Sequence, residues 1–175
     1  MEPAVTTAAP VIERLHSISV PVSEFIAYGE LLTYSTARGL EFIDITQQVR
    51  AVVSRSQVTF GQVAVFSSHT TAAVIINEHE PLLLDDIARV ISRLAPADDY
   101  YAHNDFSIRT VNVSANEPEN GHAHCQQLFL GSSVTIPVHG GEPRLGRWQS
   151  CFLVELDHAR VREVAVQVTG ARASG

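Results

Sequence analysis

Residues 62–94 read QVAVFSSHTTAAVIINEHEPLLLDDIARVISRL, and they contain the strongest secondary-structure signals of the chain. Residues 62–67 and 72–76 are short apolar runs bounded by polar residues, and each predicts a β-strand. Residues 81–94 repeat their apolar side chains at helical spacing, which predicts an amphipathic helix. Its apolar stripe consists of Leu83, Ile87, Val90, Ile91 and Leu94.

Two further helices are predicted on either side of this stretch. Residues 44–55 carry apolar side chains at helical spacing, with Asp44 or Thr46 available to cap the first turn. Residues 116–130 also have a helical pattern, with Asn116 in the capping position. The polar segment before this helix has no regular period, and such a long irregular stretch in a compact domain is often functional.

Alternating or continuous apolar residues predict more strands over residues 12–22, 33–43, 132–138, 148–156 and 161–168. The last two runs are separated only by residues 157–160, which predicts a hairpin. Strands and helices do not alternate regularly, so the predicted fold is α+β, with mostly antiparallel sheets and about three helices in one compact domain. The expected boundaries are a disordered tail at 1–10, the domain at 11–170 and a loose tail at 171–175.

The charged residues narrow the possible chemistry. The chain has 175 residues and a formal charge of −7, and all twelve basic residues are arginine. Without lysine there is no Schiff-base amine and no Walker-type phosphate lysine. Arginine clamps anions but transfers protons poorly, so proton transfer is left mainly to histidine and the carboxylates. The acidic balance argues against a nucleic-acid partner.

The chain shows no sign of a membrane or export segment. No apolar run approaches the ~18 residues of a membrane span. Residues 1–10 lack the charged and apolar regions of a signal peptide. Cys125 and Cys151 are far apart and lack metal-ligand spacing, so they are expected to be thiols packed as small apolar residues. A cytoplasmic protein is expected.

Polar side chains gather at five loop-like places, residues 68–71, 77–80, 103–105, 122–124 and 147–149. His103 and Asp105 are two residues apart, so in extended backbone they point to the same side. They could meet one ligand, or Asp105 could orient His103; the alternative is that both are solvated loop residues. His122 and His124 are about 200° apart on a helix, so only one can face a site.

The residues of the other clusters also allow either a functional or a purely structural role. Glu78 stands at a helix entry, where backbone N–H groups also bind anions. Asn77 is either a site residue or a cap of the helix that follows. His69 and Thr70 offer a ring nitrogen and a hydroxyl, but they also suit an ordinary polar turn. No HExxH or CxxC signature is present, although separate loops could still converge on one divalent metal.

Several of these segments together resemble the YjbQ family. The matching segments are HTTAAVIINE at 69–78, YAHND at 101–105, the stretch 120–132, WQ at 148–149 and ELDHARVR at 155–162. They follow the family order and span residues 60 to 170. The resemblance implies a compact α+β domain that assembles as a homotrimer. It also implies a weak thiamine-phosphate synthase activity, which joins a pyrimidine diphosphate to a thiazole phosphate and releases pyrophosphate.

The resemblance and the polar clusters together give candidate roles to individual residues, and Thr70, Arg109 and Arg147 come from the clusters and charges alone. The predicted catalytic residues are His103, Asp105, His124 and Glu78. The predicted substrate-binding residues are His69, Thr70, Asn77, Arg109, Arg147, Trp148 and Gln149. Arg147 stands where the family often has threonine, and it could add a phosphate clamp. Mg²⁺ on the diphosphate would help pyrophosphate to leave.

Two other functions fit the same residues. The first is a metal-dependent hydrolase in which His103, His124 and Asp105 hold Zn²⁺ or a similar ion, since three protein ligands leave an open position for water. The second is a trimeric, non-catalytic binder of a phosphorylated metabolite.

Overall fold

Eight strands form two antiparallel sheets in the computed structural model, which describes residues 22–173. The strands are β1 (Val22–Ser35), β2 (Glu41–Asp44), β3 (Phe60–Ser67), β4 (Ala72–Glu78), β5 (Ser133–His139), β6 (Glu142–Pro143), β7 (Gln149–Glu155) and β8 (Val161–Ala173). The helices are α1 (Thr46–Ser56), α2 (Pro81–Leu94) and α3 (Gly121–Leu130), with a 3₁₀ turn at Ala102–Asn104. The predicted α+β class with three helices is confirmed.

The sheets and helices stack in layers. One sheet has the strand order β1-β8-β3-β5-β6 and the other has the order β2-β7-β4. The inner face of the five-stranded sheet packs against α1 and one face of the three-stranded sheet. The other face of the three-stranded sheet is covered by α2 and α3. Much of the first core is valine, and the valines that lie on strands suit a pleated surface. The buried valines of this core are Val49, Val52, Val53, Val58, Val63, Val65, Val74, Val138, Val164, Val166 and Val168.

Two of the connections that carry the chain from one sheet to the other lie at the same end of the molecule, and we call these two the crossovers. Residues 68–71 connect β3 to β4, and residues 156–160 connect β7 to β8. The predicted hairpin of the last two strands is therefore wrong. β7 pairs with β2 and β4, whereas β8 pairs with β1 and β3. Both strands are central in their own sheets, so neither has a free edge for the other.

A buried ion pair ties the two sheets together beneath the crossovers. Arg162 on β8 and Glu155 on β7 have side chains that are 2% and 0% exposed. Arg162 Nε donates to Glu155 Oε2 at 2.6 Å, and Nη2 contacts Oε1. The same Nη2 donates to the carbonyl oxygen and the hydroxyl of Thr71 at 3.2 and 3.0 Å. Thr36 and the backbone N–H of Asp157 donate to the remaining carboxylate positions.

Local contacts set the helix starts differently from the predicted caps. α1 begins after Ile45, and Asp44 Oδ1 accepts the N–H of Thr46 at 2.9 Å. Glu80 caps α2 by accepting the N–H groups of the second and third helical residues, so Asn77 is not its cap. Asn77 Oδ1 accepts the N–H of the next residue instead.

The third helix and the end of the domain also differ from the predictions. α3 begins at Gly121 rather than at 116. Asn116 has a left-handed φ of 62°, which ends any helical continuation there. Residues 171–173 were expected to be loose, but they extend β8 and pair with β1. The predicted tail at 1–10, most of the strand at 12–22 and residues 174–175 lie outside the described residues.

Replacing Glu155 with Leu should destabilise the fold strongly, because it leaves the Arg162 charge buried without a partner. Losing one partner of a buried pair costs about 3–5 kcal/mol. Urea unfolding at pH 7 measures the free energy of unfolding. The control is Arg50→Met, which breaks an exposed ion pair with Glu142 and should cost far less. Equal losses for the two variants would show that the buried pair does not hold the sheets together.

Candidate functional site

A cleft of about 860 Å³ opens at the end of the molecule where both crossovers run. Its walls come from the first crossover, the irregular segment between the 3₁₀ turn and α3, the first turn of α3 and the start of β8. Five predicted site residues line it. They are His69, Thr70, His103, Arg109 and His124.

The centre of the cleft is a pair of histidines. The ring centroids of His103 and His124 are 4.6 Å apart at an interplanar angle of 64°. Asn104 Oδ1 accepts the N–H of Gly121 at 2.8 Å, which fastens the 3₁₀ turn to the start of α3. A Cβ at Gly121 would lie 2.6 Å from Tyr101, so this close approach requires glycine.

Burial and the neighbouring imidazole lower the pKa of His124 below its usual value. His124 is therefore neutral at pH 7 and has a ring nitrogen free to accept a proton. As predicted, only one histidine of the pair on α3 joins this site. His122 instead lies near Tyr101, with the ring centroids 6.5 Å apart.

Arg109 holds the irregular segment in place. Its Nη1 donates to Glu117 Oε1 at 2.6 Å, and that same oxygen lies 3.8 Å from His103 Nε2. Its other donations go to three backbone carbonyl oxygens, those of His103, Val111 and Asn112. The N–H groups of Arg109 are thus engaged within the loop, so the main role of Arg109 in the cleft wall is to hold the loop in position.

His69 presents a defined hydrogen-bond donor. Its Nε2 accepts the backbone N–H of Glu163 at 2.9 Å. Burial and the nearby Arg162 lower the pKa of His69, so the ring is neutral at pH 7 and its proton is on Nδ1. The first crossover therefore places one N–H donor in the cleft wall, which suits the predicted substrate-binding role.

The sequence prediction missed Arg160, Arg162 and Asn120, which also line the cleft. The two arginines lie in the ELDHARVR segment, but the predicted hairpin placed that segment in the wrong surroundings. Three arginines line the cleft, and Glu117 is the one carboxylate among its described lining residues. Arg160 pairs behind the wall with Asp157 at 2.7 Å.

Asp105 does not orient His103, so that predicted role is wrong. Asp105 Oδ1 accepts the N–H of Ser107 at 3.0 Å and also contacts its hydroxyl. These contacts lower the pKa of Asp105. The two side chains diverge because a 3₁₀ turn, rather than extended backbone, contains His103.

The remaining predicted residues form a second group at the opposite end of β4 and β7. Glu78 pairs with Gln149 in the sheet, and Asn77 pairs with Ser150. β4 is seven residues long, so this group lies roughly 20 Å from the cleft along the strand. Glu78 therefore does not join the histidine pair within one chain.

Arg147 and Trp148 belong to this second group. The Arg147 guanidinium lies 4.5 Å from the centroid of the Trp148 ring, which is a cation–π contact. Trp148 is 61% exposed. Arg147 and Trp148 were predicted to bind substrate together with the residues of the cleft. In the structure, the length of β4 and β7 separates these two residues from the cleft.

The predicted metal ligands do not form a metal cage. Within residues 22–173, no three His, Cys, Asp or Glu side chains are grouped closely enough to hold a metal ion. His103 and His124 supply two ring nitrogens beside an arginine, and Asp105 is engaged elsewhere. The described residues therefore do not fit a resident three-ligand ion.

His79 and the two cysteines lie outside the cleft. His79 Nδ1 lies 2.7 Å from Asp44 Oδ2, and its ring packs edge-on against Phe152. Nothing in the local sequence around His79 indicates a partner 35 residues earlier. Cys125 is exposed, Cys151 is buried, and both are free thiols. Burial raises the pKa of Cys151 to about 12, so it packs as an inert side chain.

Known proteins are similar to this chain in sequence and in fold. The family described as UPF0047 protein YjbQ-like matches residues 30–171. A UPF0047 protein of Methanothermobacter thermautotrophicus is 38% identical over 143 residues, which are 82% of this chain and 92% of that protein. A UPF0047 protein of Archaeoglobus fulgidus is 39% identical, over 78% of this chain and 97% of its own length.

Solved structures agree with this assignment. A YbjQ-like protein of unknown function from Sulfolobus solfataricus has a TM-score of 0.76 at 35% identity, covering 84% of this chain and 99% of its own. A hypothetical protein from Aeropyrum pernix has a TM-score of 0.72 at 34% identity, covering 81% and 98%. The chain belongs to the UPF0047 (YjbQ-like) family. No helix within the described residues is long and apolar enough to cross a membrane.

The histidine pair predicts a specific titration. His124 should titrate below pH 6.5 by NMR, and the substitution His103→Asn should raise its pKa, because His103 is the second contributor to lowering it after burial. His139→Asn is the control, since His139 lies against Phe60 away from the cleft. An unchanged His124 pKa in His103→Asn would contradict the coupling of the two rings.

The same shift predicts how stability depends on pH. The unfolded chain protonates His124 near pH 6.5, whereas the folded chain protonates it only at lower pH. The unfolded state therefore binds more protons between these values, so stability falls as pH drops through that window. Urea unfolding of the wild type and of His124→Gln at pH 7.5 and 5.5 measures this, and the variant should lose less stability on acidification.

Proposed function

We propose that the cleft is the active site of an enzyme that acts on a small phosphorylated substrate, with His103 and His124 as its proton carriers. The observation that carries this proposal is the pair of imidazoles 4.6 Å apart in a cleft lined by arginine. A neutral histidine beside a second one can accept a proton and return it. The phosphorylated substrate is proposed from the arginines that line the cleft around the pair.

Arginine is the main charged residue of the cleft lining, where three arginines and one carboxylate stand in a chain of formal charge −7. Each arginine is paired with a carboxylate, Arg109 with Glu117, Arg160 with Asp157 and Arg162 with Glu155. Arg160 has the most accessible guanidinium of the three, because its side chain is 32% exposed and its Nε has no hydrogen-bond partner within residues 22–173. Arg160 and Arg162 are held by carboxylates behind the wall, so their positions are set before a ligand arrives. A preorganised guanidinium suits phosphate oxygens.

The specific reaction we propose is of the thiamine-phosphate synthase type. A pyrimidine diphosphate and a thiazole phosphate are joined, and pyrophosphate leaves. The arginine-lined wall supports this proposal because the departing pyrophosphate needs positive charge. Mg²⁺ would enter with the diphosphate, whose oxygens are its usual ligands. His69, with its proton on Nδ1, would donate a hydrogen bond to the substrate, and Thr70 offers a hydroxyl from the same crossover. We place this activity in the cytoplasm.

The described residues give the metal-dependent hydrolase no particular support, because the two histidines lack a third ligand. A non-catalytic binder would use the same arginine-lined cleft but would not need the histidine pair. One experiment therefore distinguishes the synthase from the non-catalytic binder.

His103→Ala and His124→Ala should each lower kcat by about 10²–10⁴-fold, the usual contribution of a general acid or base. The assay mixes both substrates with Mg²⁺ and follows thiamine phosphate. His139→Ala is the matched control outside the cleft and should keep the wild-type rate. Substrate binding without any product in the wild type would identify a binder, and full activity of both variants would reject the proton-carrier role.

We propose that the protein assembles as a homotrimer through the outer face of the five-stranded sheet. Every second residue of β1 and β8 lies on this face, and it exposes large apolar side chains. They are Phe25, Leu31, Phe60, Phe66 and Val161, which are 36–72% exposed. Contiguous apolar patches of this kind mark protein–protein contacts.

Leu31→Asp should turn the trimer into monomers, because it places a charge in the centre of the apolar sheet face. Light scattering coupled to size exclusion measures the mass. Val90→Asp is the control, since it removes an exposed apolar side chain from α2 on the other side of the molecule. A wild-type mass of one chain would reject the trimer, and a trimeric Leu31→Asp would reject this face as the interface.

A further inference from the structure

A second pocket lies on the other side of α3 from the cleft. It has a volume of about 360 Å³, at the small end of ligand-binding pockets. It opens between the end of α2 and the middle of α3. His122 and Gln126 line it, and they are four residues apart on one helix face. His124 faces the cleft instead, so α3 separates two distinct pockets.

Gln126 has an acceptor without a partner. Its side-chain amide is buried, with the residue 2% exposed, and its Nε2 donates to the carbonyl oxygen of Ala95 at 2.9 Å. This bond fixes the orientation of the amide, because the carbonyl of Ala95 can only accept. Within residues 22–173, Gln126 Oε1 has no hydrogen-bond partner. Buried polar atoms are nearly always paired, so a donor is expected at this oxygen.

His122 adds a second unpaired atom to the same pocket. Its Nδ1 is buried and lacks a partner among the described residues. An imidazole nitrogen can donate or accept according to its tautomer. Two residues of one pocket lining each carry a buried polar atom without a partner, which favours a polar molecule in the pocket.

The charge of the pocket is negative. Asp98 and Asp157 line it, and no arginine does among the described residues. Asp157 is already paired with Arg160 and contacts the His158 ring, whereas no hydrogen bond or ion pair engages the Asp98 side chain within residues 22–173. The pocket also lies at the C-terminal end of α2, which carries partial negative charge. These groups all favour a cation.

We propose that this pocket binds a small organic cation with at least two N–H donors, such as an ammonium, a guanidinium or a protonated amino-heterocycle. One N–H donates to Gln126 Oε1 and another lies against the Asp98 carboxylate. The carbon part packs on the apolar wall. That wall consists of Leu40, Pro96, Ala97 and Leu156. This site is separate from the proposed function and does not depend on it.

NMR titration of the ¹⁵N-labelled full chain tests the site. The probes are guanidinium, ethylammonium and 4-aminopyridinium, and the matched anions are acetate and isonicotinate. The cations should give saturable shifts at the Gln126 side-chain amide and at residues 95–98. The anions should leave these signals unchanged. Cation shifts centred on His103 would place binding in the cleft and overturn the proposal.

Two neighbouring aspartates supply the matched variants. Asp98→Asn should weaken cation binding about fivefold, the worth of roughly one exposed ion pair. Asp99→Asn changes the net charge equally but does not line the pocket, so its affinity should stay within about twofold of wild type. Both side chains are exposed, so neither change threatens the fold. Equal affinities for the two variants would overturn the proposal.

Gln126→Leu removes the unpaired acceptor and should abolish the shifts at residues 95–98. Its thermal unfolding reports whether the fold survives the loss of the bond to Ala95. A crystal structure of the wild type soaked in guanidinium gives the final arm. Density for ordered water only, at a concentration that saturates the NMR shifts, would show that water rather than a cation satisfies Gln126.

Discussion

The buried ion pair between Glu155 and Arg162 fixes the two sheets relative to each other. It joins a central strand of each sheet at the level where both crossovers turn. Two charges leave water there, a cost that is repaid only when every lone pair and proton is used. The hydrogen bonds from Thr36 and to Thr71 meet that demand. The crossovers that carry His69 and Arg160 are consequently fixed relative to each other.

The local sequence pattern predicted most helices and strands, but it did not predict which strands pair with each other. The apolar stripe of Pro81–Leu94 predicts α2 with its observed bounds, and the runs at 62–67 and 72–76 predict β3 and β4. The short spacing of residues 157–160 suggested a hairpin. Spacing measures only how far the chain can reach, whereas sheet membership depends on what each strand buries. β7 is buried at every position from 151 to 155, and a hairpin edge strand would not be.

The site shows the same division between local and distant information. His103 and His124 could be found from the sequence, and the structure brings them together. Asp105 was predicted to orient His103, but a turn directs its side chain to Ser107. Glu78 was predicted to join the same site, but it lies at the far end of β4. Arg160 and Arg162 were hidden because their role depends on the crossover. The two pockets beside α3 likewise differ in their charged lining, with arginine in the cleft and aspartate in the smaller pocket, and these residues are distant in sequence, so no spacing rule connects them.

The position of β8 has a consequence for the order of folding. β8 is formed by residues 161–173, and it lies between β1 and β3 in the larger sheet. During synthesis β1 and β3 emerge before β8, and β3 can pair with β5, whereas β1 has no neighbouring strand in its sheet until β8 leaves the ribosome. Closing a loop of more than a hundred residues is slow relative to local contacts. The nascent chain must therefore keep the apolar side chains of β1 apart from other molecules until β8 has emerged.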